Sequence, residues 1–497
     1  MSPLQLLVHR PAPECAFAAI RVEAEAPSRP VRSLGVDDQQ RYRDRSLWLD
    51  GALERFSPRP ALDGDCEADV AIVGAGYTGL WTAYALALLD PGLRVAIVET
   101  ETAGYGASGR NGGFVSAGIS GEARVYERVQ GPEGVVRAER AMIDGIDWIG
   151  AAVARESIDC GWVKGGAYRV ATSAPQLARA RSGLAAKQAR GYSDADVRFV
   201  TREEIDAEVR IAGARGGTYT PHCARVDPAR LARGLADACE QRGVVIYERS
   251  PATAIAPGRV TCTTGRITAG VVVRATEAFT TRLPGEGRRY LPLASHMIAT
   301  EPLPPETWDE LGWSGCAPIA DQHYQFVYAQ RTPDGRIAIG GRGLTYRLGG
   351  AIRESDEAQP AIHGKLEQAL RRLFPAAAAA TVTHRWGGFF AAPRDWSMSV
   401  GYDRASGLAR AGGYSGHGVV ASSLAGRTLA DLITGAESDL TGLPWVGHAS
   451  RRWEPEPLRF LAARTIAAVA ASTDAAEDRT GRPARRIGLV RRWLPGR

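Results

Sequence analysis

The sequence predicts an α/β chain in which a sheet of parallel strands, closed by glycine-rich turns, is interleaved with blocks of antiparallel or mixed sheet. Three observations carry this reading. Residues 69–99 run as strand, glycine turn, helix and second strand. A capped helix and buried strands return at 226–276, and a further strand, glycine loop and helix return at 408–433. Between these returns, 291–340 holds runs that alternate apolar and polar residues in the manner of sheet strands.

The first unit is the most specific. Residues 69–73 form a short apolar run ending in glycine, as a buried parallel strand does. Gly74, Gly76 and Gly79 follow in G-x-G-x-x-G spacing. The first permits a tight turn, the second lets the backbone approach a pyrophosphate, and the third lets helix and strand come close. Tyr77 and Thr78 open the helix, whose amides and dipole would face the phosphates. Tyr77, Leu80, Trp81, Tyr84 and Leu88 fall on one helical face. Asp90-Pro91-Gly92 stops the helix, 94–98 is the second strand, and Glu99 ends it, placed to bond a ribose 2′-hydroxyl. Together these predict a Rossmann-like dinucleotide site. The fingerprint by itself leaves FAD and NAD open, and a glycine turn without a ligand is the bland alternative.

Composition bounds the rest. A chain of 497 residues with 44% hydrophobic content is long enough for two or three domains and a real core. No apolar run approaches the ~18 residues that span a bilayer, and residues 1–14 lack the basic and apolar regions of a signal peptide. The cysteines at 15, 66, 160, 223, 239, 262 and 316 are scattered and form no CxxC pair. That argues against a disulfide framework or metal site and for a reducing cytoplasm. The net charge of +6 is modest and almost all its cations are arginine, so no nucleic-acid partner is inferred. Residues 1–41 are rich in Pro, Ala and Arg and are expected to be poorly ordered; the basic 482–497 tail is expected to be solvated.

Along the chain, 46–53 reads as a short helix or lead-in arm, and 135–155 as a helix. Residues 165–172 look like a strand, and Thr201 with Glu204 forms a capping box at a helix start. Asp227 caps a helix with Pro228 at its first position, running to Gln241. Strands follow at 244–247 and 271–276, with a hairpin from 249–253 between them. The 291–340 strands include a hairpin turn at Asp334-Gly335, and a helix spans 361–374. Gly412 to Gly418 form a second glycine loop, which opens a helix over 419–433; another helix covers 457–472.

Residues 104–113, GYGASGRNGG, hold five glycines in ten positions, a loop able to press against something flat or charged. GASGRNGG after a glutamate-ended second strand resembles the D-amino-acid-oxidase-like FAD oxidoreductases, and within them the γ-glutamylputrescine oxidase and aminophosphonate oxidoreductase branch. The resemblance covers about residues 42–460. It implies that Ser108, Gly109, Arg110, Asn111 and Gly112 contact FAD; the bland reading of Arg110 is a solvated arginine. It implies that Ala252 meets the adenine through its backbone. It sets Gly413, Tyr414, Ser415, Gly416, His417, Gly418 and Val419 at the pyrimidine side of the flavin ring. It also implies a discontinuous FAD-binding domain (42–120, 222–284, 381–435), a discontinuous substrate domain (121–221, 285–380) and a C-terminal helix and tail (436–497). Many relatives read ATG where this chain reads Ala275-Thr276-Glu277, a departure that bears on flavin approach at this turn.

The resemblance implies hydride removal from the carbon beside an amine nitrogen, then imine hydrolysis, with reoxidation by O2 or another acceptor. The amine must be neutral at transfer, which an apolar pocket favours. Tyr324, Phe326, Tyr328, Trp386, Phe389 and Phe390 are the aromatics placed to build one, or else core of the substrate sheet. His417 and His296 are candidates to approach the ring or substrate. Arg385 and Arg394 are candidates to hold a substrate carboxylate or phosphonate, against ordinary ion pairing. Relatives with covalent flavin carry a cysteine in the 387–393 region, and this chain has none, so FAD is expected to be non-covalent. Relatives that activate oxygen with a lysine carry it on the strand matching 337–340, where this chain has Ala338. Oxidase and dehydrogenase both stay open, as do an NAD-type dehydrogenase and, from another class, a non-catalytic flavin-binding scaffold. Substrate and oligomeric state are not specified by the sequence.

Overall fold

A computed structural model describes residues 36–490 apart from 53–57, 120 and 122. The first 35 residues of the N-terminal extension and the last seven of the tail therefore lie outside the described residues. The extension's end is helical, however: Val36–Arg43 forms a helix, followed by Leu47–Ala52, whose Leu47, Trp48 and Leu49 are buried.

Two large sheets organise the chain. The first runs, edge to edge, Ser399–Asp403, Leu408–Gly412, Arg266–Arg274, Cys66–Val73, Val95–Val98 and Val245–Tyr247. The four pairings from Leu408–Gly412 onward are parallel, and Ser399–Asp403 closes one edge antiparallel. The hairpin Ala252–Ala256 and Arg259–Cys262 hangs on Arg266–Arg274. Val95–Val98 is buried on both faces, as a parallel strand covered by helices must be.

The second sheet runs Val382–Ala392, Leu291–Thr300, Ile337–Thr345, Val327–Arg331, Ile319–Asp321, Ala167–Val170, Gly217–Thr220 and Arg198–Val200. Only the pairing of Ile319–Asp321 with Ala167–Val170 is parallel. A short antiparallel pair, Phe114–Ser116 with Cys223–Arg225, forms a separate two-stranded sheet. The expected boundary at 381 is corrected here. Val382–Ala392 pairs along its whole length with Leu291–Thr300, from Leu291↔Ala392 to Thr300↔Val382, so it belongs to the second sheet. The chain returns to the first sheet only after Pro393.

Local chemistry explains the helix starts. The Thr201–Glu204 capping box closes in both directions, and Asp227 accepts from the amides of Ala229 and Arg230. The expected 135–155 helix begins earlier, at Ala123, with a kink at Gln130 and Gly131. The C-terminal helix is longer than expected, Leu458–Thr480. Its last two turns are held by acids: Asp474 accepts from the Tyr324 and Gln325 amides, in the turn before Val327–Arg331, and Glu477 pairs at 2.6 Å with Arg179 of the Ala174–Gln188 helix.

The Tyr77–Leu89 helix does not have one apolar face. Residues 77–87 are all buried, whereas Leu88 is 42% exposed. The reason is that Gly418–Thr434 covers the helix on the side away from the sheet. At Gly426 the two helices approach so closely that a methyl group would lie 2.7 Å from the Thr82 nitrogen and from the Trp81 carbonyl carbon. Gly426→Ala is therefore expected to force the helices apart. Overpacking of this kind costs about 1–3 kcal/mol, read as a lower thermal midpoint.

Candidate cofactor and substrate site

The Cys66–Val73 strand delivers its glycine turn against the end of its parallel neighbour. Gly74 has φ +107°, and a methyl group there would sit 2.6 Å from the Ala275 carbonyl oxygen. A methyl at Gly79 would collide with the Gly74 carbonyl. Gly76 is the helix N-cap and supplies no side-chain acceptor, so the first turn is open toward the cavity. One of its amides, that of Tyr77, donates to Ser108 Oγ at 2.8 Å. A methyl at Gly76 would sit 3.0 Å from the same Ser108 oxygen, so strand turn and 104–113 loop are in contact.

That loop is braced by its own side chains. Asn111 donates to the Ser108 carbonyl at 2.8 Å and accepts from the Gly113 amide at 2.8 Å. A methyl at Gly109 would meet the Gly104 carbonyl. Gly112 lies against the ring of Tyr328, 2.5 Å from a methyl placed there. Arg110 is neither solvated nor free: its guanidinium donates to Glu357 at 2.6 Å and to the Gly387 carbonyl at 3.2 Å, and lies over the Tyr105 ring. It fastens the loop to the second sheet while still lining the cavity.

Glu99 ends its strand as expected and lines the cavity. Its carboxylate accepts from the Ala75 amide at 2.8 Å and the Glu101 amide at 3.1 Å. Burial outweighs those bonds and lifts it to about 7. Glu277 is in a similar condition. It adopts φ +40°, accepts from the Gly413 amide at 2.9 Å and the Ala391 amide at 3.2 Å, and burial lifts it to about 7. So the residue that departs from ATG ties the second glycine loop to the strand end.

The second loop opens the Gly418–Thr434 helix at His417, again without a side-chain cap. Gly413 and Gly416 have φ +80° and +94°, and Ser415, with φ +51°, donates to the Trp396 carbonyl at 2.9 Å. Tyr414 is buried and shares a 2.8 Å hydrogen bond with Thr78, linking the two helix starts. His417 faces Gly118; burial, with the nearby Arg169 charge, pushes it down to about 4, so its ring is neutral at physiological pH.

These segments surround one cavity of about 1780 Å³. Gly74, Gly76, Tyr77 and Thr78 line it, as do Glu99, Ser108, Arg110, Asn111, Gly112 and Ala252. Tyr414, Ser415, Gly416, His417, Gly418 and Val419 form a further wall. Gly79, Gly109 and Gly413 stand behind the wall, where they allow close backbone approach. The residues present fit a dinucleotide: two helix starts without side-chain caps, and glycine positions that side chains would fill.

The substrate candidates divide. Tyr324, Phe326, Tyr328, Phe389 and Phe390 line the same cavity. Tyr328 sits between Phe114 and Phe326, with ring centroids at 5.6 and 6.1 Å. His296, Arg385 and Trp386 do not reach it. On Leu291–Thr300 it is Leu291, Leu293, Ser295 and Met297 that face the cavity, so the period of two turns His296 away. His296 is buried against His363, bonded to Thr345 at 2.9 Å, and pushed down to about 4 by burial. Trp386 is core, its indole donating to the Arg110 carbonyl at 3.0 Å. Arg385 pairs with Glu367 at 2.8 Å, and Arg394 pairs with Glu454. Missed from sequence were Arg169, Arg179 and Lys187, which line the far lobe; one arginine in a short strand carries no distinguishing signal. Among the described residues no group of three or more His, Cys, Asp or Glu is placed to hold a metal, and no helix is long and apolar enough to cross a membrane.

A parallel sheet with glycine turns at its strand ends, opening on an aromatic cavity of a second sheet, defines a dinucleotide-dependent oxidoreductase. The chain belongs to the FAD dependent oxidoreductase (DAO) family, whose model matches residues 69–432. Gamma-glutamylputrescine oxidoreductase of Escherichia coli K12 is 29% identical over 395 residues, covering 78% of this chain and 89% of that protein. A probable oxidoreductase, OrdL, of Haemophilus influenzae is 27% identical over 411 residues, covering 80% and 90%. Among solved structures, glycine oxidase from Geobacillus kaustophilus superposes with a TM-score of 0.64 at 23% identity, covering 77% of this chain and 100% of that one. L-Amino acid deaminase from Proteus myxofaciens gives 0.63 at 17%, covering 79% and 95%. At these identities the structures speak for the fold alone.

Two outcomes follow from the site's charges. Arg110→Ala removes the loop's bonds to Glu357 and the Gly387 carbonyl, leaving Glu357 with Arg45 at 3.2 Å, and is expected to cost about 1–3 kcal/mol, measured by urea denaturation. Glu99 and Glu277 bind protons more tightly in the folded chain than at their ordinary value of 4.5. Stability of the FAD-free protein is thus full below about pH 4.5 and falls as pH rises through about 7, by on the order of 1–3 kcal/mol per carboxyl. A pH series of melting temperatures is expected to show this slope, and Glu277→Gln to flatten part of it.

Proposed function

We propose that this protein oxidises a C–N bond of a small amine or amino acid, using non-covalently bound FAD. The observation that carries the reading is one continuous cavity joining the glycine-lined helix starts to the aromatic lobe of the second sheet. On this reading the first sheet carries the FAD-binding unit and the second carries the substrate unit.

The first-turn amides of Gly76 and Thr78 and the 108–112 loop hold the diphosphate, the Tyr77 amide being taken by Ser108. Glu99 accepts from ribose hydroxyls, Ala252 lies at the adenine, and 413–419 flank the pyrimidine side of the ring. Bound FAD supplies the hydride acceptor. The chain's own part is to bind, orient and desolvate. Tyr324, Phe326, Tyr328, Phe389 and Phe390 exclude water and disfavour a charged ammonium, so the amine enters its reactive neutral form. His417, already neutral, adds no cationic charge to oppose this. Non-covalent binding is supported by Cys223, the one cysteine on the cavity wall among the described residues: it is fully buried and held as a thiol, its pKa pushed up to about 12. The described cysteines are all free, which supports a reducing compartment such as the cytoplasm.

The electron acceptor is O2 or another oxidant. Ala338 is buried beside Met297 and Trp386, and contributes no cation that would help oxygen react. Anaerobic mixing of the FAD-loaded protein with D- and L-amino acids, N-methyl amino acids, polyamines and aminophosphonates tests the reading. Bleaching of the flavin by one class is the expected result, and the rate of colour return in air separates oxidase from dehydrogenase. A yellow protein that none of them bleaches would count against amine oxidation and favour a scaffold role.

A further inference from the structure

Residues 312–318 join the Pro305–Leu311 helix to the Ile319–Asp321 strand, and the loop bends sharply. Gly312, Trp313 and Cys316 have φ +81°, +29° and +55°, and none of the three lines the cavity. A left-handed backbone at a cysteine is uncommon and persists only where the surroundings hold it. Here Trp313 is buried, and its indole donates to the Ala317 carbonyl at 2.8 Å, which pins the turn. Ser314 and Gly315 are exposed and Cys316 is half-buried, its thiol donating to the Ser314 carbonyl at 3.5 Å. Solvent therefore reaches Cys316, whereas Cys160, Cys223, Cys239 and Cys262 are buried.

Beside the thiol is a cation without a counterion. Arg225 is 7% exposed, and its Nε and Nη1 make no hydrogen bond among the described residues. Burial lowers its pKa; Cys316 acts against that by charge and hydrogen bonding, while Arg331 adds a like charge. Arg331 is itself engaged, donating to the Trp313 carbonyl at 3.2 Å and lying 4.2 Å over the Trp308 ring. Glu208 approaches the loop at Gly315, but among the described residues it forms no ion pair with Arg225. A buried guanidinium with orphan donors costs free energy until an acceptor reaches it. A neutral thiol is a weak acceptor, whereas an oxyanion on the same sulfur is a strong one.

We infer that Cys316 is a site of oxidation by a hydroperoxide, and that Arg225 holds the sulfur oxyacid formed there. The Cys316 sulfur, as thiolate, attacks one oxygen of hydrogen peroxide. An S–O bond forms and the O–O bond breaks; the second oxygen leaves as hydroxide, which a proton converts to water. Sulfur gives up two electrons, peroxide gains them, and a sulfenic acid remains. A second peroxide repeats the exchange on the sulfenate and yields water and the sulfinate, an anion whose oxygens accept from the orphan Arg225 N–H groups. Where O2 is the electron acceptor, its two-electron reduction makes hydrogen peroxide at the enzyme itself. The site does not depend on that reading, because peroxide also reaches an accessible thiol from solution.

Two measurements test this. In the first, the full chain is treated with hydrogen peroxide at neutral pH, digested, and each cysteine peptide read by mass. Cys316 is expected to gain one oxygen and then two, ahead of Cys66, the other half-buried cysteine, whose thiol burial pushes up. Arg225→Met is expected to slow oxidation at Cys316 about tenfold or more while leaving Cys66 unchanged, and Arg225→Lys to fall between. An unchanged circular dichroism spectrum establishes that the variants are folded. The second measurement needs no oxidant. Cys316→Asp puts a carboxylate where the oxyacid would form, and Cys316→Asn is its neutral match; both residues tolerate a left-handed backbone. Cys316→Asp is expected to melt at a higher temperature than Cys316→Asn, and to lose that advantage in the Arg225→Met background. The Asp–Asn comparison with Arg225 in place stands even where Arg225→Met does not fold. Oxidation of Cys316 no faster than of Cys66, or equally fast in Arg225→Met, overturns the inference. So does Cys316 recovered in a disulfide instead of an oxyacid, or an Asp variant that melts no higher than the Asn variant.

Discussion

The structure depends on backbone meeting backbone at the end of the Cys66–Val73 strand. Gly74 bears on the Ala275 carbonyl, Gly79 bears on Gly74, and Gly426 brings the second helix onto Trp81 and Thr82. No side chain could stand at any of these points without moving an element. Because nothing does, two helices begin side by side at one cavity wall, joined by the Thr78–Tyr414 hydrogen bond. The open amides of both first turns are a consequence of this packing.

A second, ionic constraint holds the surroundings of that wall. Glu248 is fully buried and accepts from Arg233 at 2.6 Å, from the Ala103 amide at 3.0 Å and from the Arg59 amide at 3.2 Å. It thereby ties the chain before the first strand, the loop after the second and the Pro228–Glu240 helix to one carboxylate. Arginine partners keep it ionised despite its burial; Glu99, without a cation, is driven the other way. Of three buried acids, Glu248 thus titrates below its ordinary value, whereas Glu99 and Glu277 titrate above it. What separates them is the presence of a guanidinium, since each accepts backbone amides.

Much of the fold was legible where its signals are local. The glycine spacing, the Thr201–Glu204 box and the Asp227-Pro228 cap each depend on a few adjacent residues, and the structure has them as read. The site was legible where loops carried it and less so where strands did. His296, Arg385 and Trp386 have suitable chemistry, but a strand's alternation decides which face they join, and composition does not say which face meets the cavity. The same parity sends Ser295 and Met297 inward. The 77–89 helix misled for a related reason: a helical period marks one face, whereas burial all round depends on Gly418–Thr434, more than three hundred residues away.

The order in which strands enter the two sheets has its own implication. The chain leaves the first sheet after Val95–Val98, returns at Val245–Tyr247, leaves again for Leu291–Thr300, and comes back only at Ser399–Asp403. Neither sheet is complete until nearly four-fifths of the sequence is available. On a ribosome the early strands must therefore wait, with apolar edges unpaired, for partners made much later. Such a chain has no natural point for division into two independently folding fragments, and its yield in a cell is governed as much by what shelters the first 400 residues as by the stability of the finished fold.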